Sequence, residues 1–309
     1  MRIAVMGSGA VGGYFGAKLA AAGHEVCFIA RGRHLEAMQS SGLRVQSVNG
    51  DLHVENAQCS DAPNSVGQVD LVLFCVKSYD TESAGQAIAP MVSNRTKILS
   101  LQNGIDNPDK LAKFYGAAQV LPAVVYIGAQ LSAPGMITHS TGGRIIFGQL
   151  DGTVNDETKA LAEFFSAAGI PNEVSAGIRK VQWSKLLWNA PFCAISCLTR
   201  ANTREIVESP ALTELALACM AEVRQAARAD GIELPAQLCD DTLAFSKTMG
   251  DFKPSMLQDL EADKPLEYEA FNGIVIKRLA AHGQAASVNE TFYAMLKFVD
   301  QQIRREAKR

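Results

Sequence analysis

Gly7, Gly9 and Gly12 set the spacing G-x-G-x-x-G within the opening residues MRIAVMGSGAVGG. Next to a dinucleotide, each glycine of this pattern has its own task. The first permits a tight turn, the second lets a pyrophosphate approach the backbone, and the third lets helix and strand pack closely. With the intervening Ser8, Ala10 and Val11 they form a candidate phosphate loop. The helix that follows would offer it free amides and the positive end of a macrodipole. A second set of residues is arranged differently. Lys185, Asn189, Cys193 and Cys197 recur every four residues, a single stripe on a helix whose other faces hold Leu186, Leu187, Trp188, Phe192, Ile195 and Leu198. A helix that is apolar nearly all round is buried. An amide or ammonium on it needs partners, because leaving one unsatisfied costs at least about 1–3 kcal/mol. A lysine that reaches solvent past an apolar helix is the plainer alternative.

Three further positions follow strand-like runs. Arg31 and Arg33 come just after the second one, where an NAD enzyme usually carries an acid for the ribose 2′-hydroxyl. Guanidinium groups match phosphate oxygens bidentately and keep their charge, so they suit the 2′-phosphate of NADP; two solvated surface arginines would look the same. Lys77 follows the run 71–76, and Asn103 follows 97–101 inside Leu-Gln-Asn-Gly. Both lie beyond strand carboxyl ends, where doubly wound sheets bind ligands, although an Asn-Gly turn or a solvated lysine would also fit.

These residues need elements to hold them. Residues 3–6 and 25–30 read as strands flanking a helix over 10–22, as a βαβ unit requires. Strands at 71–76, 97–101 and 120–127 follow, then a hairpin through 136–139 and 144–148 that would extend one edge of the sheet, and a last strand at 172–174. Early strands that alternate with helices predict an α/β fold with a parallel, doubly wound Rossmann-type sheet. From Ser175 onward only helical spacing remains, over 178–198, 211–229, 236–249, 266–282 and 289–305. Pro191 predicts a kink in the first of these. Ser209-Pro210 reads as an N-cap and N1 pair, Ser287 to Glu290 as a capping box, and Gly231 and Gly283 as C-terminal glycines. Two domains result: an NADP-binding one over 1–174 and an all-helical one over 175–309.

With 309 residues and 48% hydrophobic content, the chain has material for two cores. A net charge of −3 gives no electrostatic case for nucleic acid or an anionic membrane. No apolar run approaches the roughly 20 residues that span a bilayer, and residue 1 leads straight into a strand, so a cytoplasmic location is expected. Seven scattered cysteines read as reduced thiols, and no histidine or carboxylate cluster completes a metal site. The apolar helices of the second half could form a homodimer interface or simply their own core.

The glycine fingerprint with Arg31, Val76-Lys77, Leu101 to Gly104, the run WSKLLWN over 183–189, and KPSMLQD over 253–259 followed by Glu267 resemble the ketopantoate reductase (2-dehydropantoate 2-reductase) family over nearly the whole chain. That resemblance implies NADPH as cofactor and a small 2-ketoacid as substrate. It implies that Arg31 binds the 2′-phosphate, that Lys77 and Asn103 contact the cofactor, and that Asn103 also lies close to substrate. Lys185 matches the catalytic lysine and Glu267 the acid that works with it. Asn189 and Ser255 match substrate-binding residues. Two positions depart from the pattern: Cys193 stands where many members have asparagine, and Thr203 stands near a further substrate-binding asparagine, which adjacent Asn202 would replace if the register shifts by one. Ketone reduction suits the set, because hydride transfer leaves negative charge on an oxygen that a lysine ammonium can meet. A reductase of another 2-keto or 3-hydroxy acid, or a silent NADP-binding sensor, are the alternatives. The pairing of Lys185 with Glu267 argues against the last.

Overall fold

Alternate residues of the first strand go to opposite cores. In a computed structural model describing residues 1–306, Ile3 and Val5 join one apolar cluster with Phe15, Phe28, Leu71 and Leu73, while Ala4 and Met6 join another with Ile29, Val72 and Phe74. Side chains of a strand alternate faces, so a strand covered on both sides reads as an unbroken apolar run.

The first unit spans Met1–Ile178. Its elements in chain order are β1 (Arg2–Met6), α1 (Ala10–Ala21), β2 (Glu25–Ile29), α2 (Gly32–Ser41), β3 (Leu43–Ser47), β4 (Leu52–Val54), β5 (Gln58–Ser60), β6 (Val69–Phe74), α3 (Thr81–Ala87), β7 (Val92–Ser100), α4 (Asn107–Tyr115), β8 (Val120–Ala133), β9 (Met136–Phe147), α5 (Asp156–Ala167) and β10 (Asn172–Val174). The sheet runs β4-β3-β9-β8-β7-β6-β1-β2-β5, with β10 paired to β9. Strands β5, β2, β1, β6, β7 and β8 are mutually parallel, and the order reverses between β1 and β6. That reversal is the switch point where such sheets bind ligands.

The expected hairpin is corrected. Met136–Phe147 is one strand, and its antiparallel partner is the long β8. The Gly142-Gly143 pair, in the gap between the two expected strands, has positive φ at both residues, 76° and 103°, and sits where Tyr126 pairs with Arg144 but Ile127 pairs with Gly142. It is a bulge, which inserts one residue without ending the strand. Nor does the pair form an edge, because β3 joins β9 in parallel and carries β4 beyond it.

The second unit begins at Arg179. It holds α6 (Ile178–Thr199), α7 (Thr203–Glu208), α8 (Pro210–Ala229), α9 (Gln237–Lys247), α10 (Ser255–Glu261), α11 (Ile274–Ala280) and α12 (Ser287–Glu306). Helix α6 continues through Pro191, and Leu187, Ala190, Phe192, Cys193 and Ala194 on it are fully buried. Ser209 caps α8 by accepting from the Leu212 amide, with Pro210 at the first helical position. Gly231 and Gly283 follow helix ends with positive φ.

Two helical expectations change. The span 266–282 is not one regular helix, since Glu269–Gly273 forms a π-helical turn ahead of α11. At the start of α12, the capping box gives way to a carboxylate from another helix. Glu222 of α8 accepts from the Val288 and Asn289 amides at 2.9 Å each and from Asn289 Nδ2 at 2.7 Å. A charge-assisted acceptor satisfies these orphan amides better than a serine hydroxyl and opposes the positive helix end. Among the described residues, no helix is long and apolar enough to cross a membrane.

Candidate active site

The glycine loop turns between β1 and α1. At Gly7, with φ 95°, a Cβ would stand 2.8 Å from the Val76 nitrogen, and at Gly12 it would stand 2.2 Å from the Gly7 carbonyl oxygen. Only glycine lets the end of β6 and the first turn of α1 come this close. A Cβ on the exposed Gly9 would meet nothing within 4 Å, so packing gives no reason for a glycine there and ligand approach does. Helix α1 has no side-chain cap and no acid in its first turn, which leaves its leading amides to an anion. The loop therefore fits the pyrophosphate of a dinucleotide.

Ser8 braces the loop from within. It is 2% exposed, and its hydroxyl donates to the Ile29 carbonyl at 3.0 Å. Arg31 is the N-cap residue of α2; its side chain is 82% exposed and lies 3.4 Å from Asp80. Such an open ion pair is worth little, so the guanidinium is available to a phosphate. Arg33 is exposed as well.

Lys77 and Asn103 are half-buried on the loops after β6 and β7, at the same carboxyl edge as the glycine loop. A buried amide network, which sequence reasoning missed, holds these loops. Gln102 Nε2 donates to the Val76 carbonyl at 3.0 Å and to Thr81 Oγ1 at 2.8 Å, while Ser100 Oγ donates to Gln102 Oε1 at 3.1 Å. Asn107 Nδ2 donates to the Asn103 carbonyl at 2.7 Å and its Oδ1 lies 2.9 Å from Thr81 Oγ1. The signal was present in Leu-Gln-Asn-Gly, where a glutamine directly after a buried strand needs partners. A cleft of about 430 Å³ near Met1, Asp70, Arg95 and Lys97 opens at the opposite, amino ends of the strands. Doubly wound sheets do not bind ligands on that side.

In the helical unit, the α6 stripe carries the chemistry. Burial pushes the Lys185 ammonium down to about 8, against the opposing pull of Cys193 and Glu267, which lie within electrostatic reach. Glu267 is 3% exposed, two residues before the π-helical turn, a kind of irregularity frequent at functional sites. The same turn supplies Asn272, whose Nδ2 donates to the Ala190 carbonyl ahead of Pro191 at 3.2 Å and to Asn289 Oδ1 at 2.9 Å. Asn189 and Cys193 are buried on the stripe, and Ser255 starts α10 behind Pro254.

Thr203 lies at the start of α7. It is fully buried, its amide and hydroxyl both donate to the Phe252 carbonyl, at 2.9 and 2.8 Å, and it thereby braces the loop leading to Ser255. Asn202 is the N-cap of α7 in a capping box with Glu205, so its side-chain oxygen serves the helix.

A Rossmann-type unit with an open phosphate loop, followed by a helical unit with a half-buried, tuned lysine within electrostatic reach of a carboxylate, defines a nicotinamide-dependent oxidoreductase. Residues 3–152 match the family described as ketopantoate reductase PanE/ApbA, and residues 177–300 match its C-terminal part. The chain belongs to this ketopantoate reductase family. It is 33% identical over 300 residues to the 2-dehydropantoate 2-reductase of Archaeoglobus fulgidus, which covers 97% of this chain and 98% of that one. The crystal structure of a PanE/ApbA family ketopantoate reductase from Ralstonia eutropha JMP134 superposes with a TM-score of 0.91 at 34% identity, covering 98% of this chain and all of the other. The 2-dehydropantoate 2-reductase from Geobacter metallireducens GS-15 gives 0.92 at 33%, covering 96% and 99%.

Proposed function

We propose that this protein reduces 2-dehydropantoate to pantoate with NADPH. The observation that carries the reading is Lys185: a half-buried lysine whose ammonium desolvation lowers to about 8, with the buried Glu267 at hand, in a member of this family. Bound NADPH supplies the hydride. Lys185 donates its proton to the carbonyl oxygen as charge develops there, a task that favours a pKa near the working pH. Glu267 opposes the effect of burial and keeps the amine protonated and oriented. Asn189, Ser255 and Asn103 hold the substrate's other polar groups, and Lys77 and Arg31 hold the cofactor. The seven cysteines form no disulfide, which supports a reducing compartment, and we place the enzyme in the cytoplasm.

The test is NADPH oxidation across a small panel of 2-oxo acids. Ketopantoate should give the highest kcat/KM; a simpler branched 2-oxo acid turned over more than tenfold better would replace the substrate assignment. One observation favours that second reading. The thiol of Cys193, fully buried on the catalytic stripe, is a weaker hydrogen-bonding group than an amide. If ketopantoate is the substrate, Cys193→Asn should leave its kcat/KM unchanged or improve it, by about 0.5–1.5 kcal/mol for a neutral partner. If the pocket is shaped for a less polar acid, the same change should impair the native reaction by leaving an amide without a partner.

Glu267 has its own expected signature. Glu267→Gln removes the charge that opposes desolvation, so the amine should lose its proton at lower pH than in the parent enzyme. The alkaline fall of ketoacid reduction should move to lower pH in this variant. An unmoved profile would take Glu267 out of the pairing.

A further inference from the structure

His34 has no part in the reaction above, yet it touches the loop that the dinucleotide needs. It is half-buried in the first turn of α2, and both of its ring nitrogens are engaged. The Gly135 amide, in the turn between β8 and β9, donates to Nδ1 at 3.0 Å, and Nε2 lies 2.7 Å from the Ser8 carbonyl oxygen. Nδ1 must accept and a carbonyl can only accept, so the ring proton sits on Nε2 and is donated to Ser8. The Gly135 turn also packs on α2, with Ala37 Cβ 3.2 Å from where a Gly135 Cβ would lie.

What the Ser8 carbonyl belongs to gives this contact its consequence. Its peptide unit also contains the Gly9 N–H, and in a planar trans peptide the two groups point in opposite directions. Fixing the carbonyl on His34 therefore aims the Gly9 amide away from α2. The other groups of Ser8 are fixed as well, its amide donating to the Ile29 carbonyl at 3.1 Å and its hydroxyl to the same oxygen at 3.0 Å. Gly9 itself is exposed and open to a ligand. We propose that His34 is a positioning residue for cofactor binding, which holds the Ser8–Gly9 peptide so that the Gly9 amide meets the pyrophosphate, while the Gly135 amide fixes the ring. The proposal rests on the dinucleotide reading above.

The test separates the two ring nitrogens in the full-length protein. A glutamine amide reaches the place of Nε2 and an asparagine amide the place of Nδ1, so His34→Gln keeps the donor to Ser8 and His34→Asn keeps the acceptor for Gly135. NADPH and NADH are titrated by nucleotide fluorescence without substrate, and thermal melting is followed alongside. His34→Asn should raise the Kd of both nucleotides about fivefold or more, by the same factor, because both carry the pyrophosphate. His34→Gln should stay within about twofold of the parent, since the Ser8 bond survives. At saturating NADPH, kcat should be unchanged in both. A His34→Asn protein that binds as tightly as the parent, or a His34→Gln protein that loses as much, overturns the proposal. Nitrogen-15 NMR of the unmodified protein gives an independent check: an Nε2–H tautomer for His34 supports the assignment, and an Nδ1–H tautomer refutes it. A parent protein that takes up neither nucleotide overturns the dinucleotide reading together with this one, whereas normal uptake with an indifferent His34→Asn overturns this one alone.

Discussion

Lys185→Ala should lower kcat by roughly a hundredfold or more while NADPH binds with nearly unchanged affinity. The reason is differential binding: the ammonium meets a charge that exists only as the carbonyl accepts the hydride, so its loss raises the barrier without weakening the ground state. The pH dependence follows from the same group. Its pKa lies at about 8 rather than at the ordinary lysine value, because burial disfavours the charged form more than Glu267 and Cys193 favour it. Reduction needs the protonated amine, so kcat/KM for the ketoacid should be level below about pH 8 and fall about tenfold per unit above it. Oxidation of the hydroxyacid needs the free amine and should rise through the same range. Steady-state rates in both directions between pH 6 and 10, together with an NADPH titration of the variant, check each part. A Lys185→Ala enzyme that turns over near the parental rate would remove the lysine from the chemistry.

Arg31→Ala should erase most of a preference for NADPH over NADH that is at least tenfold in the parent, or about 1.4 kcal/mol. The demand on one guanidinium is modest, since charge-assisted contacts to phosphate are among the stronger hydrogen bonds. Asp80, 3.4 Å away, accepts a weak and exposed pair that a 2′-phosphate would displace. The measurement is kcat/KM for each nucleotide in parent and variant. Equal values in the parent would mean that Arg31 faces solvent and reads nothing, and a preference that survives the substitution would pass the role to Arg33.

Much of this was legible in local patterns. The run 3–6 had to be a two-sided buried strand, because no half-exposed strand is apolar throughout. Gly7 and Gly12 marked a backbone crossing too close for a side chain, and the contacts at Val76 and Gly7 show that crossing. The four-residue stripe from Lys185 to Cys197 implied a buried helix, and its core positions are buried. Patterns misled where one local signal served two structures. The apolar spacing broke between 139 and 144 and read as a turn, but whether such a break ends a strand or bulges it, as Gly142-Gly143 does, depends on the partner strand, which no local reading contains.

By itself, then, the sequence determined the first βαβ unit, the helical second half, where a phosphate can approach the backbone, and that α6 would be a buried helix carrying a polar stripe, because these depend on periodicity and on the shape of single residues. The tertiary structure decided which polar groups meet. It gave Glu222 to the start of α12, Thr203 to the Phe252 carbonyl, Gln102 to the loop of Lys77, and His34 to both Ser8 and Gly135. Each of these bonds joins residues far apart along the chain, and its worth lies in desolvated geometry that exists only once the surrounding elements have packed.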